Sequence, residues 1–255
     1  MRNFLSRAEA DEICNGLMER YHEEKGVSCV DIDGFVKDVL HCPVFYEAFA
    51  EKDLDKIGFC GDGISKLKVY REGKPVSVVF PRDTIVLERY LLRAEEQNRR
   101  RFTLAHEAGH VLANRMGAGQ TAHFHRPYDT DRVYAIEDLK ERLSMAEWQA
   151  NTLAASLLMP RFLVRQELER HTEGKCLPVY GERVFRPQEK AILSEMAQAM
   201  GVSYTALVIR LDNLGVLSHH PLSEYLSKSF TVSSGSTQSY SSTTPGVGSP
   251  APSRM

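Results

Sequence analysis

Between Arg101 and Leu112 the chain reads Arg-Phe-Thr-Leu-Ala-His-Glu-Ala-Gly-His-Val-Leu, and this stretch constrains everything around it. His106 and His110 stand four residues apart, with Glu107 between them. On a helix, residues i and i+4 lie one above the other on the same face, so both imidazoles aim at one point. Imidazole nitrogens are good zinc ligands, and a carboxylate beside them is placed to take a proton from a water that such an ion activates. A pattern this short can arise by chance, so its surroundings carry more weight. At about 100° per residue, Phe102, Leu104, Ala105, Ala108, Gly109, Val111, Leu112, Ala113 and Met116 fill about half of the circumference or more. His106, Glu107 and His110 are left on one narrow polar strip. A helix so apolar is buried, and its polar strip needs something to satisfy it.

Two imidazoles do not complete a catalytic site, which takes three protein ligands and keeps a position open for water. In the short metzincin pattern the third ligand would be a histidine where this chain has Met116, with a glycine where it has Ala113, so that form is ruled out. A gluzincin arrangement instead takes a glutamate from a second helix, with a polar residue four positions later. Glu147-Trp148-Gln149-Ala150-Asn151 fits, because Asn151, Ala154, Ala155 and Leu158 all fall on Glu147's side of the wheel. The small residues there let two helices approach closely. His106, His110 and Glu147 are therefore the candidate metal ligands, Glu107 the candidate general base, and Asn151 a hydrogen-bonding support for a ligand. Zinc is the expected ion, though a two-histidine, one-carboxylate set also admits manganese or iron. A second oxyanion donor is expected, and His123, His125, Tyr128 and Tyr134 are all chemically able, with nothing in the spacing to select among them.

Length and charge narrow the class. At roughly 150 residues per domain, a chain of 255 holds one domain with an appendage or two small ones. A net charge of -2 argues against a DNA-coating protein, and the longest apolar runs are too short and too often interrupted by charge to span a bilayer. Met1-Arg2-Asn3-Phe4-Leu5-Ser6-Arg7 passes directly into Ala8-Glu9-Ala10-Asp11-Glu12 without the apolar core of a signal peptide. Cys14, Cys29, Cys42, Cys60 and Cys176 are scattered, with no Cys-x-x-Cys, as suits reduced thiols. The expected location is the cytoplasm.

Local signals predict an α+β chain. Ser6 and Glu9 form a capping box for a helix to about Lys25, and Asp33 is placed to cap a short helix through Leu40. Val44–Tyr46, Ile57–Phe59, Lys66–Tyr70, Val76–Phe80 and Thr84–Leu87 read as the strands of a small antiparallel sheet, with 71–75 as a hairpin connection. The helix bearing His106 follows, from about Asn98 to Gly117; residues 120–133 read as a loop, and a helix from about Ala135 ends before Pro160. A charged helix covers 161–171. Pro187–Met200 and 204–214, punctuated by Gly201, Ser203 and Gly215, form a pair resembling a helix-turn-helix. Its second helix offers Arg210 alone as a base, too little for phosphate binding, which favours a structural or substrate-docking role. From about Ser227 the composition collapses to Ser, Thr, Gly and Pro, as expected of a disordered tail. The domain reading is a unit carrying the candidate metal site at 1–172, which the resemblance described next makes a zincin-like metallopeptidase domain, a helical segment at 173–220 and a tail at 227–255.

The segment 101–110 followed by Glu147-Trp148-Gln149-Ala150-Asn151-Thr152-Leu153-Ala154-Ala155-Ser156-Leu157-Leu158-Met159-Pro160 resembles the two signatures of the ImmA/IrrE family of metallo-endopeptidases. The resemblance covers roughly Ser6 to Leu217 and departs at Leu153, where the family commonly has an aromatic residue. It implies a minimal zincin-like fold in an intracellular protease that cleaves a helix-turn-helix repressor and so releases mobile-element or stress genes. It also implies the same roles for His106, His110, Glu147, Glu107 and Asn151. The competing function is a non-proteolytic anti-repressor or DNA-associated regulator that displaces its partner without cutting it.

Overall fold

The structure, a computed structural model, describes residues 5–22, 27–53, 55–117, 123–125 and 145–230. Helix α1 (Arg7–Tyr21) starts where the capping box places it: Ser6 Oγ accepts the Glu9 N–H at 3.2 Å, and Glu9 Oε2 accepts the Ser6 N–H at 2.8 Å. The second helix is a single turn, α2 (Ile32–Gly34), running into a π-helical turn at Phe35–Val39, and its cap is Asp31 rather than Asp33. Asp31 Oδ1 accepts the Gly34 N–H at 3.0 Å, while both oxygens of Asp33 accept from the Arg100 guanidinium, at 2.6 and 2.9 Å. A bidentate charged pair is the stronger of the two uses of a carboxylate.

Strands β1 (Val44–Glu47), β2 (Gly58–Cys60), β5 (Ile85–Glu88) and β6 (His123–His125) build one sheet in the order β1-β5-β2-β6; β3 (Lys66–Arg71) and β4 (Lys74–Val79) form a separate hairpin. The sheet is mixed, which corrects the antiparallel expectation. β2 runs antiparallel to β5 and to β6, but β1 lies parallel to β5, with Val44 opposite Ile85 and Tyr46 opposite Leu87. A parallel neighbour needs a long crossover, here the whole span through β2, β3 and β4, and no local signal in either strand announces it. β6 likewise falls in a stretch without period; it becomes a strand by pairing with the edge of β2. In the hairpin, Glu72 and Gly73 both take positive φ, 53° and 76°, as a two-residue turn matched to strand twist requires, so Lys74 and Pro75 belong to β4.

Side chains alternate across the sheet. Cys60, Ile85 and Leu87 join Leu104, Ala105 and Ala108 of α3 (Gln97–Arg115) in the main core, while Phe59 and Val86 pack on the hairpin residues Leu67 and Val69. Helix α4 (Met145–Leu158) packs on the far side of α3 and ends before Pro160, where α5 (Arg161–Thr172) begins. Strands β7 (Leu177–Tyr180) and β8 (Leu217–His220), not announced by the sequence, pair in parallel. Helix α6 (Pro187–Met200) keeps its expected bounds, and α7 (Tyr204–Asn213) ends one residue before the expected 214, which is its cap. Gly201 closes α6 at φ 63°, Ser203 Oγ caps α7 by accepting the Ala206 N–H at 3.2 Å, and the two axes are bent by 99°. Helix α8 (Leu222–Phe230) takes in residues 227–230, which the composition assigns to the tail; the rest of that expectation, 231–255, lies outside the described residues.

Two buried arginines tie the helices together. Arg101 of α3 donates to the carbonyls of Val30 at 2.8 Å and Gly201 at 3.2 Å. Arg210 of α7 is 2% exposed, donates through Nε to the Met159 carbonyl at 2.9 Å, and pairs with Asp11 of α1. The one base of α7 is thus turned inward. Among the described residues no single helix is long and apolar enough to cross a membrane.

Candidate metal centre

Helix α3 presses its polar strip against other elements instead of presenting it to solvent. His106 and Glu107 are fully buried and His110 is 2% exposed, between the sheet on one side and α4 on the other. What brings α4 so near is Gly109: a Cβ there would stand 2.8 Å from the Ala150 carbonyl oxygen and 3.2 Å from both Ala150 Cα and Leu153 Cβ. The two backbones meet where neither carries bulk, and Glu147, one turn before Ala150 on α4, is delivered over the histidines.

The three candidate ligands converge. His106 Nε2 lies 3.2 Å from Glu147 Oε2, His110 Nε2 lies 3.4 Å from Glu147 Oε1, and the two Nε2 atoms are 3.0 Å apart. One ligand atom from each falls within 4.8 Å of the others, and no other group of three His, Cys, Asp or Glu side chains does so among the described residues. A tetrahedral ion bonded at about 2.0–2.1 Å holds its ligand atoms roughly 3.3–3.4 Å apart, so the donors fit a metal of zinc's size and preference. The imidazoles meet nearly edge to face, at 80°, with both Nε2 atoms turned to the same spot.

Asn151 explains why His106 turns Nε2 there. Its Oδ1 lies 2.9 Å from His106 Nδ1; an amide oxygen only accepts, so Nδ1 donates there and Nε2 is the ring nitrogen turned towards Glu147 and His110. Glu147, mostly buried, would have its carboxyl raised by burial. The hydrogen bonds and charges of His106 and His110 outweigh that and hold it well below the usual range. Glu107 goes the other way. Its carboxyl is raised far above the ordinary value, first because burial strips it of water and second because the Glu147 charge lies near. Neither of its oxygens has a hydrogen-bond partner among the described residues. An acid isolated beside three converging donors is suited to hold or release a proton, and a bound dication would lower its pKa.

Sequence reasoning named the residues brought together here: His106, Glu107, His110, Glu147 and Asn151. Its candidates for a second oxyanion donor are not placed. His123 and His125 contribute backbone to β6, and their side chains, with Tyr128 and Tyr134, lie outside the described residues. Gly58 went unnoticed. It sits on β2 directly against Glu107, and the available signal was a glycine inside an otherwise apolar strand.

Residues 83–212 match the model of a family described as Peptidase_M78, IrrE N-terminal-like domain. The matched span is just over half of the chain and contains all five residues named above. A search of curated proteins finds no match.

Proposed function

The chain belongs to the ImmA/IrrE metallopeptidase family, and on that premise we propose that it is a zinc-dependent endopeptidase that cuts a helix-turn-helix transcriptional repressor, releasing mobile-element or stress genes. The observation that carries the reading is the convergence of His106, His110 and Glu147 beside a buried carboxyl, Glu107, that no described group neutralises. A purely structural metal site has no use for an unpartnered acid at its edge, whereas hydrolysis does.

When bound at the three ligands, zinc supplies Lewis acidity, which acidifies water and stabilises developing negative charge. Glu107 takes the proton of the attacking water and later hands it to the leaving amine. Glu147 and His110 hold the charge in place, and Asn151 fixes the His106 tautomer. The helices α6 and α7 serve as scaffold or docking surface, because Arg210 is engaged with Asp11 and Met159 and is not available to phosphate. A repressor substrate implies action in the cytoplasm.

The test is mass analysis of the repressor encoded beside this chain after incubation with the zinc-loaded protein. Two fragments are expected from the wild type and none from Glu107→Gln or in the presence of chelator. Cleavage that persists in either control refutes the mechanism. Release of an intact repressor from DNA assigns the protein to non-proteolytic anti-repression.

A further inference from the structure

We propose that Gly58 is a positioning residue for Glu107: the missing side chain on β2 is the niche that holds the general base clear of the metal ligands. The inference rests on the reading of Glu107 as that base. β2 lies between β5 and β6, with Gly58 opposite Leu87 on one side and His125 on the other, a place where glycine weakens a strand through its entropy and its lack of packing. The face of α3 turned towards it carries Thr103 and Glu107, one turn apart and both fully buried. A Cβ at residue 58 would overlap Glu107 Oε1 and stand 2.9 Å from Thr103 Cγ2, closer than real Cβ contacts come, with Glu107 Cδ tightly placed at 3.0 Å. β2 is hemmed in against retreat from α3, because it is paired on both edges and its opposite face is packed on the hairpin through Phe59.

Displacement therefore falls on the flexible side chain. In this proposal a carboxylate driven off β2 turns towards the point where the ligand atoms of His106, His110 and Glu147 converge, since Glu107 directly follows His106 on α3. There it would compete for the position that hydrolysis needs open to water. In this account glycine at 58 keeps a fourth protein ligand away from the ion.

The experiment is a stability cycle on the full-length, metal-free chain, with zinc binding and repressor cleavage measured on the same variants. Gly58→Ala is expected to lower Tm by on the order of 5 °C in the wild-type background and by less than half of that in Glu107→Ala, where the carboxylate is gone. It is also expected to bind one zinc per chain yet cleave at least about tenfold more slowly with KM little changed, because the three ligands do not touch residue 58. Equal losses of Tm in both backgrounds overturn the inference, as does rescue by Thr103→Ser without any from Glu107→Ala. If Gly58→Ala folds only in the Glu107→Ala background, the niche is confirmed; if it folds in neither, the niche belongs to the backbone and the proposal fails. The stability cycle needs neither metal nor substrate, so an absence of cleavage by the wild type counts against the peptidase reading alone.

Discussion

Replacing Glu107 by glutamine removes a charge that the fold does not accommodate, and the metal-free protein should gain stability from it in a pH-dependent way. The Glu107 carboxyl has no exposure and no partner among the described residues, and its pKa is raised well above 4.5. In the unfolded chain the same group ionises near 4.5. Between that value and the raised one, the unfolded state has released a proton that the folded state still holds, so stability falls as pH rises. Each pH unit inside the window is worth about 1.4 kcal/mol, or about 3–6 °C in Tm for a protein of this size. Below pH 4 both states are protonated and the contribution vanishes. Glu147 slopes the opposite way, since its carboxyl is lowered: its contribution is present above 4.5 and is lost as pH falls through the folded value. Subtracting the variant's curve from the wild type's cancels Glu147 and isolates Glu107. The assay is thermal or urea unfolding of both proteins in chelator from pH 4 to pH 8. Curves that stay parallel across that range refute the account of Glu107. With saturating zinc the difference should shrink, because the dication favours the carboxylate.

Three further outcomes test the framework. Asn151→Ala should weaken zinc binding by about 10- to 100-fold in chelator competition while leaving the fold intact, because the His106 tautomer loses its anchor. Gly109→Ala sets a gain of about 1 kcal/mol in helix propensity against overpacking of about 1–3 kcal/mol at Ala150. The net loss of Tm should therefore be small and the loss of zinc affinity disproportionate, since Glu147 rides on the displaced helix; unchanged affinity would show that α4 has room to spare. Asp11→Ala leaves Arg210 buried and unpaired and should cost about 3–5 kcal/mol in urea unfolding, most of it recovered in Asp11→Leu with Arg210→Met.

The candidate ligands were legible in the chain because their grouping is written in short-range periodicity. His106 and His110 at i and i+4 share a helix face whatever surrounds them, and Glu147 with Asn151 repeats that spacing on a second apolar helix. Caps were legible for the same reason: Ser6 with Glu9, Ser203, Gly201 and Pro160 act on neighbours within a turn of themselves.

What the sequence left open depends on contacts between distant residues. The parallel pairing of β1 with β5 and of β7 with β8, and the making of β6 from an aperiodic stretch, are settled by strand edges that must find partners. Asp33 lost its capping role to Arg100, a residue 67 positions away. Arg210, the single base that its helix offers, is drawn inward by the carboxylate of Asp11, far away in the chain. The sequence by itself named a set of side chains suited to hold a metal and to move a proton beside it. Only the tertiary structure decided that α3 and α4 meet at Gly109 with His106 and His110 at 3.2 and 3.4 Å from Glu147, and that β2 leaves a space at Gly58 for the Glu107 carboxyl. The reason is steric: a helix fixes the direction of its own side chains, but the distance to the next element is set by the smallest residues at the crossing.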